Sequence, residues 1–177
     1  MDMELFLLIL RNTLIFIAGI YLLAVIFDVI FVVSFSSILS HHDHDLFLIL
    51  TNKKDNLDRL ATLLSKHGVK LDKKMVGALD EFDLKTIEHQ DGEEAKKARD
   101  LLTSISEYLF LTARENKNVS NSEEFLELST DIDEIERVYR QHALMYNADV
   151  LGYNFWISFV PTKFIYLILK RKKKETI

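Results

Sequence analysis

The residues best suited to chemistry form one short run, residues 41–45, with the sequence His-His-Asp-His-Asp. Imidazole and carboxylate groups bind metals, and on a helix His41 with His44, or His42 with Asp45, would share a face. No further cluster of ligand-type residues is visible to complete a coordination shell. We therefore expect a hydrated collar and no metal site, with His41, His42 and His44 as the candidate ligands if a metal were bound.

A second polar group, His142, Tyr146, Asp149 and Tyr153, recurs at intervals of three or four residues within a longer apolar series. That spacing places the four side chains on one face of a helix, toward a partner helix. Buried polar atoms need hydrogen-bond partners, so we expect a His–Tyr–Asp network among them. Such groups more often fix the alignment of helices than carry out reactions, and we interpret this core polar stripe as structural.

The sequence contains no recognisable catalytic or cofactor-binding motif. It has no cysteine, no His-Glu-x-x-His, no Gly-x-Ser-x-Gly and no glycine-rich phosphate loop. None of the six histidines follows a glutamate by three residues, as a di-iron bundle requires. The net charge is −5 although residues 170–174 are all basic, so the body of the chain is acidic and unsuited to nucleic acid. We expect no enzyme, no cofactor and no nucleic-acid partner.

The element that must carry these groups begins with an apolar segment, residues 13–39, which contains Asp28 as its single charge. The segment exceeds the roughly 20 residues that a helix needs to cross a bilayer. It is too long for a signal peptide and no small-residue cleavage site follows it. We therefore predict a single-pass anchor within an N-terminal segment of residues 1–40.

Two features of this anchor bear on its placement. Asp28 lies toward one end of the span, so we interpret it as hydrated near the headgroups, with a polar contact inside the membrane as the alternative. Arg11 precedes the span, whereas Lys53, Lys54 and Arg59 follow it, a bias that predicts a cytoplasmic body.

Helical periodicity predicts four body helices within residues 41–161. The first continues the span and ends near Gly68, the second runs from Asp72 to about His89 before a break at Asp91-Gly92, and the third covers about Glu93–Glu115. After a loop at residues 116–121, a Ser120/Glu123 capping box starts the fourth helix, which Pro161 ends or kinks. With five glycines and one proline, the chain is predicted to be all-α: a transmembrane helix followed by an antiparallel up-and-down four-helix bundle.

The C-terminal region combines an apolar stretch, residues 150–169, with a basic cluster. Its apolar part could be interfacial, packed in the core, or spanning; Pro161 and Lys163 disfavour a span, and we favour an interfacial tail over residues 162–177. The basic residues fit a surface of anionic lipid. The predicted membrane-surface residues are Lys170, Arg171, Lys172, Lys173 and Lys174.

Parts of the chain resemble the LemA family. Tyr146-Asn147 and Tyr153-Asn154, seven residues apart and followed by Pro161, are similar to that family's repeated Tyr-Asn and closing Phe-Pro. Residues 53–60 resemble its basic-pair motif, with Asp58 in place of the motif's proline. Two further departures lie elsewhere in the chain: Lys117 stands where the family's loop has proline, and Val160 stands where it has phenylalanine. Further family positions are matched by Asn121, Phe125, Leu126, Leu128 and Glu136. The resemblance covers about residues 29–165 and implies a bacterial four-helix bundle on a membrane helix, with a cytoplasmic body and no established catalytic activity.

Together these patterns predict an interaction or scaffold module at the cytoplasmic surface of the cell membrane. Its partners would be the lipid bilayer and other membrane or envelope proteins. The alternative hypothesis is a sensor or transport accessory protein that uses Asp28, the His/Asp collar or the tyrosine-rich stripe.

Overall fold

The structure is a computed structural model that describes residues 3–80, 92–159 and 162–177. Within these ranges the regular secondary structure is entirely helical, which confirms the predicted all-α class. The helices are α1 (Met3–Lys66), α2 (Lys73–Asp80), α3 (Gly92–Glu115), α4 (Lys117–Ser120), α5 (Glu123–Ile157) and α6 (Lys163–Ile168).

Helix α1 is a single unbroken helix of 64 residues. At 1.5 Å per residue it is about 96 Å long, and it confirms that the first body helix continues the apolar segment. Gly68, with φ of 73°, terminates it as predicted. The amide of Gly68 donates to the Ser65 carbonyl and that of Val69 to the Leu64 carbonyl, so the last carbonyls of α1 are satisfied by a Schellman motif.

The N-terminal part of α1 is long and apolar enough to span a bilayer. Its most apolar 18-residue stretch has a mean hydropathy of 2.8, and 11% of that stretch is buried. Residues 3–23 are exposed on every face, whereas Asp28, Val32 and Leu39 are buried against other parts of the chain. Thus the second half of the apolar segment is also part of the helical body.

The body is built around α1, α3 and α5, with α5 antiparallel to α1. Lys53 of α1 pairs with Glu136 near the middle of α5. Near the end of α5, the Trp156 ring stacks on Phe31 of α1, with ring centroids 4.7 Å apart. This agrees with the predicted return of the last body helix toward the start of the first. The longer apolar series that contains the polar stripe supplies much of the core that α5 buries: Phe125, Leu128, Ile132, Tyr139, Tyr146 and Tyr153.

The short elements differ in detail from the prediction. Helix α2 begins near Asp72 as expected, but the rest of that predicted helix, to His89, and Asp91 lie outside the described residues, so the four-helix count stays a prediction. Helix α3 starts within one residue of its predicted beginning. The loop at residues 116–121 contains α4.

The predicted Ser120/Glu123 capping box is wrong. Ser120 ends α4, and Ser122 is the N-cap of α5, where its hydroxyl accepts the Phe125 amide at 3.2 Å. The cause is the extra turn of helix in the preceding loop, which moves the start of α5 past Ser120.

The C-terminal segment doubles back on the body. After α5 ends at Ile157, Thr162 and Tyr166 are buried in the body, while Leu167, Ile168 and Leu169 remain exposed. Residues 170–177 then run back along α5, where Lys174 and Ile177 contact it, and Val160 and Pro161 lie outside the described residues. Of the three predicted alternatives, the core position applies to the side chains of Thr162 and Tyr166. The favoured interfacial position of the tail stays a prediction.

Candidate functional site between helices α1 and α5

The collar of α1 and the polar stripe of α5 meet face to face. His42 Nε2 lies 3.1 Å from Asp149 Oδ2, which is hydrogen-bond distance. His142 Nδ1 lies 3.9 Å from Asp45 Oδ2. The expectation of a hydrated collar is therefore wrong for His42, whose side chain is 12% exposed, because α5 covers that face of α1.

One ligand atom from each of His42, Asp45 and His142 lies within 4.8 Å of the other two, which is close enough for a shared metal ion. The Nδ1 atoms of both histidines are buried and have no hydrogen-bond partner among the described residues. Leaving such an atom unpaired costs about 1–3 kcal/mol. The three side chains thus converge on one point between α1 and α5.

The other two predicted candidate ligands lie apart from this convergence. His41 is 77% exposed and its Nε2 is 3.9 Å from Asp45 Oδ2. His44 is exposed and its ring lies against Phe47, with centroids 6.5 Å apart. The sequence identified the run at residues 41–45, but it could not show that His42 is the histidine of that run that faces α5. That depends on which face of α1 is covered by α5.

The stripe residues find partners on α1, not among themselves. Asp43 accepts a hydrogen bond from the Tyr146 hydroxyl, and Asp149 is paired with His42. Burial first, and then the nearby Asp43 carboxylate, raise the pKa of Tyr146 above its ordinary value. The prediction that these polar atoms would be satisfied is confirmed for Tyr146 and Asp149, but the prediction of a network within the stripe is wrong. Tyr153 is buried as predicted.

Two asparagines of α5 hold the C-terminal segment by its main chain, a role that the sequence did not suggest. Asn154 Nδ2 donates to the Lys174 carbonyl at 2.8 Å, and its Oδ1 accepts the Lys174 amide at 2.9 Å. Asn147 makes the same pair of bonds to the Ile177 carbonyl and amide, at 2.8 and 2.9 Å. The available signal was the repeated Tyr-Asn, in which both asparagines share a face because they are seven residues apart.

Asp28 is buried at the base of the body, by which we mean the end that adjoins the exposed N-terminal part of α1. It is 0% exposed, and Tyr166 donates a hydrogen bond of 2.7 Å to its Oδ2. Its Oδ1 has no partner among the described residues. The interpretation of Asp28 as hydrated is wrong, because the C-terminal segment folds over it; the alternative, a polar contact, is what the structure contains.

An ion pair joins the three long helices. The Lys53 ammonium, 3% exposed, pairs with Glu136 of α5 and lies 3.3 Å from the Thr103 hydroxyl of α3. Glu136 is 28% exposed and can still reach water. Because the buried ammonium is matched by both a carboxylate and a hydroxyl, we interpret this arrangement as structural.

The predicted membrane-surface residues lie at the end of the doubled-back segment. Four of them are exposed: Lys170, Arg171, Lys172 and Lys173. The fifth, Lys174, places its Nζ 3.3 Å from Asp43 Oδ2 and so belongs partly to the site. Their contact with lipid stays a prediction.

Comparison with known proteins finds no matching family model, no matching curated protein and no matching solved structure. Any function assigned to the chain therefore rests on its own geometry.

Proposed function

We propose that the chain is a membrane-anchored interaction module, held in the cell membrane by the N-terminal part of α1 with its helical body on the cytoplasmic side. The continuity of α1 supports this role, because a helix without a break fixes the distance and orientation of the body relative to the anchor. In this proposal the body binds other membrane or envelope proteins and catalyses no reaction.

The observation that carries the proposal is the paired bonding of Asn147 and Asn154 to main-chain groups. Seven residues of helix rise about 10.5 Å, and three residues of extended chain span about 10 Å. The two asparagines thus match residues 174 and 177 of an extended strand. Side-chain amides that bind main chain recognise an extended segment with little regard to its side chains.

The charges beside the asparagines specify the segment further. Asp43 of α1 pairs with Lys174 of the C-terminal segment. A lysine or arginine at the equivalent position of a bound segment is therefore favoured. We infer that the partner presents an extended, basic segment, and that residues 170–177 fill the same surface when no partner is bound. Main-chain bonds and one partly exposed ion pair can be exchanged for equivalent ones, although Ile177 also packs against the core and would have to leave it.

The test is binding in trans. The chain truncated after residue 169, in detergent or nanodiscs, should bind a fluorescent peptide with the sequence of residues 170–177, whereas the full chain should bind it more weakly because its own segment competes. The double variant Asn147→Ala/Asn154→Ala of the truncated chain should lose binding. Gln141→Ala, which removes an exposed amide of the same helix, is the matched control.

Two results would contradict the proposal: no binding of the peptide to the truncated chain, or equal binding by the double variant. In the cell, affinity purification in mild detergent that recovered lipid and no protein partner would also count against an interaction module.

The relationship to the LemA family is part of the same proposal. It is supported by where residues of the resemblance lie: Lys53 pairs with Glu136, and both asparagines of the Tyr-Asn repeat hold the C-terminal segment. Residues of a family pattern that make such contacts contribute to the fold, which gives a physical reason for their presence in this chain.

A second candidate function, a sensor or transport accessory protein, is favoured by one specific observation. The collar and the stripe bring two histidines and an aspartate together at the start of the body, where a bound ligand would join α1 to α5.

A further inference from the structure

The convergence of His42, Asp45 and His142 has the composition of a transition-metal site. Two imidazoles and a carboxylate are ligands that Zn²⁺ accepts, whereas Mg²⁺ and Ca²⁺ require oxygen ligands almost exclusively. His42 and Asp45 are three residues apart on α1 and thus share a face, and His142 approaches from α5. The ligands come from two helices that are already packed together.

Asp149 gives His42 the orientation of a metal ligand. Its Oδ2 lies 3.1 Å from His42 Nε2, so the proton of the neutral ring is held on Nε2 and the lone pair is left on Nδ1. That Nδ1 is buried and has no partner among the described residues. A carboxylate bound to the outer nitrogen of a histidine is the usual support of a zinc-bound imidazole.

The distances fit an ion after a small adjustment of side chains. Zinc bonds of about 2.0–2.1 Å in a tetrahedron separate neighbouring ligand atoms by about 3.4 Å. One ring nitrogen of each histidine and one carboxylate oxygen of Asp45 lie within 4.8 Å of one another, and Asp45 Oδ2 is already 3.9 Å from His142 Nδ1.

The surrounding charge also favours a cation. Three carboxylates, those of Asp43, Asp45 and Asp149, lie in this region, and the ammonium of Lys174 is 3.3 Å from one of them. An ion of charge +2 would offset this excess of negative charge as well as satisfy the two unpartnered imidazole nitrogens.

We propose that His42, Asp45 and His142 bind a divalent transition-metal ion of the zinc class, with Asp149 as the positioning residue for His42. The proposed ligands differ from the two asparagines, and neither proposal depends on the other, although Asp43 and Lys174 lie beside both. Bound metal would link α1 to α5 beside the apolar segment and so make the stability of the body dependent on metal.

The test uses the full chain without a histidine tag, reconstituted in nanodiscs and stripped with a chelator. Addition of Co²⁺ alone should give one equivalent of bound metal with the intense visible absorption of a tetrahedral ion, and Zn²⁺ should displace it. Zn²⁺ should also raise the melting temperature. Mg²⁺ and Ca²⁺ at the same concentration should do neither.

The variants distinguish a built site from surface binding. His42→Gln and His142→Gln should each weaken Co²⁺ binding by about 100-fold or more, and Asp149→Asn by about 10- to 100-fold, the range typical of supporting carboxylates. Helicity and melting of the metal-free variants show that they fold. His44→Ala, an exposed histidine of the same collar, is the control and should bind as the original chain does.

Three results would each overturn the site: absence of stoichiometric Co²⁺ binding by the folded chain, unchanged binding in the folded His42→Gln variant, or equal loss in His44→Ala. The peptide experiment on Asn147 and Asn154 is read separately, so either proposal can fail alone.

Discussion

Tyr166 donates a hydrogen bond of 2.7 Å to Asp28, a residue 138 positions earlier in the chain, and both side chains are buried. The bond fastens the C-terminal segment to the apolar half of α1. It also offsets part of the cost of burying a carboxylate in a largely apolar region.

Tyr166→Phe should therefore destabilise the chain by about 1–3 kcal/mol, because it leaves the buried carboxylate without its donor. The double variant Asp28→Leu/Tyr166→Phe should recover much of that loss, since it removes both polar groups. Unfolding by denaturant in a mild detergent, read by helicity, measures the cycle. A Tyr166→Phe variant as stable as the original chain would mean that the bond contributes nothing.

The ion pair between Lys53 and Glu136 predicts an asymmetry. Glu136→Gln leaves a 3%-exposed ammonium without its counter-charge and should cost about 3 kcal/mol, in the range found when one partner of a buried pair is removed. Lys53→Met leaves a carboxylate that can turn toward water, so its cost should be smaller, about 1 kcal/mol.

The control for this pair is the exposed ion pair between Glu134 and Arg137, whose side chains are 65% and 57% exposed. Arg137→Ala should change the free energy of unfolding by less than about 0.5 kcal/mol. Equal costs for Glu136→Gln and Lys53→Met would contradict the burial argument.

Gly152 of α5 lies directly against the ring of Phe35 on α1. A Cβ added there would lie 2.7 Å from Cζ of Phe35, so Gly152→Ala requires the ring to move and should destabilise by about 1–3 kcal/mol. Phe35→Leu in the same chain should restore part of the loss by shortening the opposing side chain.

Gly77 is the matched control for this substitution, because no atom of the residues that the structure describes lies within 4 Å of the position its Cβ would take. Gly77→Ala in α2 should be neutral or stabilising by up to about 1 kcal/mol, as expected from helix propensity alone. Thermal unfolding of both variants separates contact from propensity, and a stabilised Gly152→Ala chain would refute the close approach.

Burial and the Asp43 carboxylate raise the pKa of Tyr146. The folded chain therefore holds the phenolic proton more tightly than the unfolded chain, whose tyrosines titrate near 10. This contribution to stability is complete below about pH 10 and is lost as pH rises from there toward the folded-state pKa. Tyr146→Phe should lose less stability than the original chain between about pH 9.5 and 11.5, measured by denaturant unfolding at each pH. Parallel losses in the two proteins would exclude Tyr146 as a source.

Local periodicity in the sequence predicted the helices well, whereas contacts between distant residues could not be read from it. The α5 stripe, the continuity of α1 and its end at Gly68 all come from residues within a few turns of one another. Selection of His42 over His41 requires knowing which face of α1 meets α5. The partner of His42 on α5, Asp149, lies 107 residues later in the chain. The fold-back over Asp28 likewise depends on a reversal after Ile157, and apolar composition alone fits core, interface and span equally well.

The base of the body carries the single tryptophan of the chain, and its fluorescence can report where the membrane lies. Trp156 stacks on Phe31 inside the apolar segment, and Phe155 and Phe159 lie beside it. About 25 residues of α1 precede Asp28 in the described structure, and at 1.5 Å per residue they extend about 38 Å, enough to cross a hydrocarbon core of about 30 Å unaided. If these residues are the part surrounded by lipid, the aromatic cluster lies at the interface, where tryptophan is enriched in membrane proteins.

In nanodiscs, lipids brominated near the headgroup should then quench Trp156 fluorescence more strongly than lipids brominated near the chain ends. Phe155→Ala, which keeps the tryptophan, should leave this order unchanged. Stronger quenching by the deep label would mean that the base of the body is immersed and that the anchor reaches toward Leu39. Absence of quenching by either label would contradict placement of this end of α5 at the membrane, and with it the membrane-anchored arrangement of the chain.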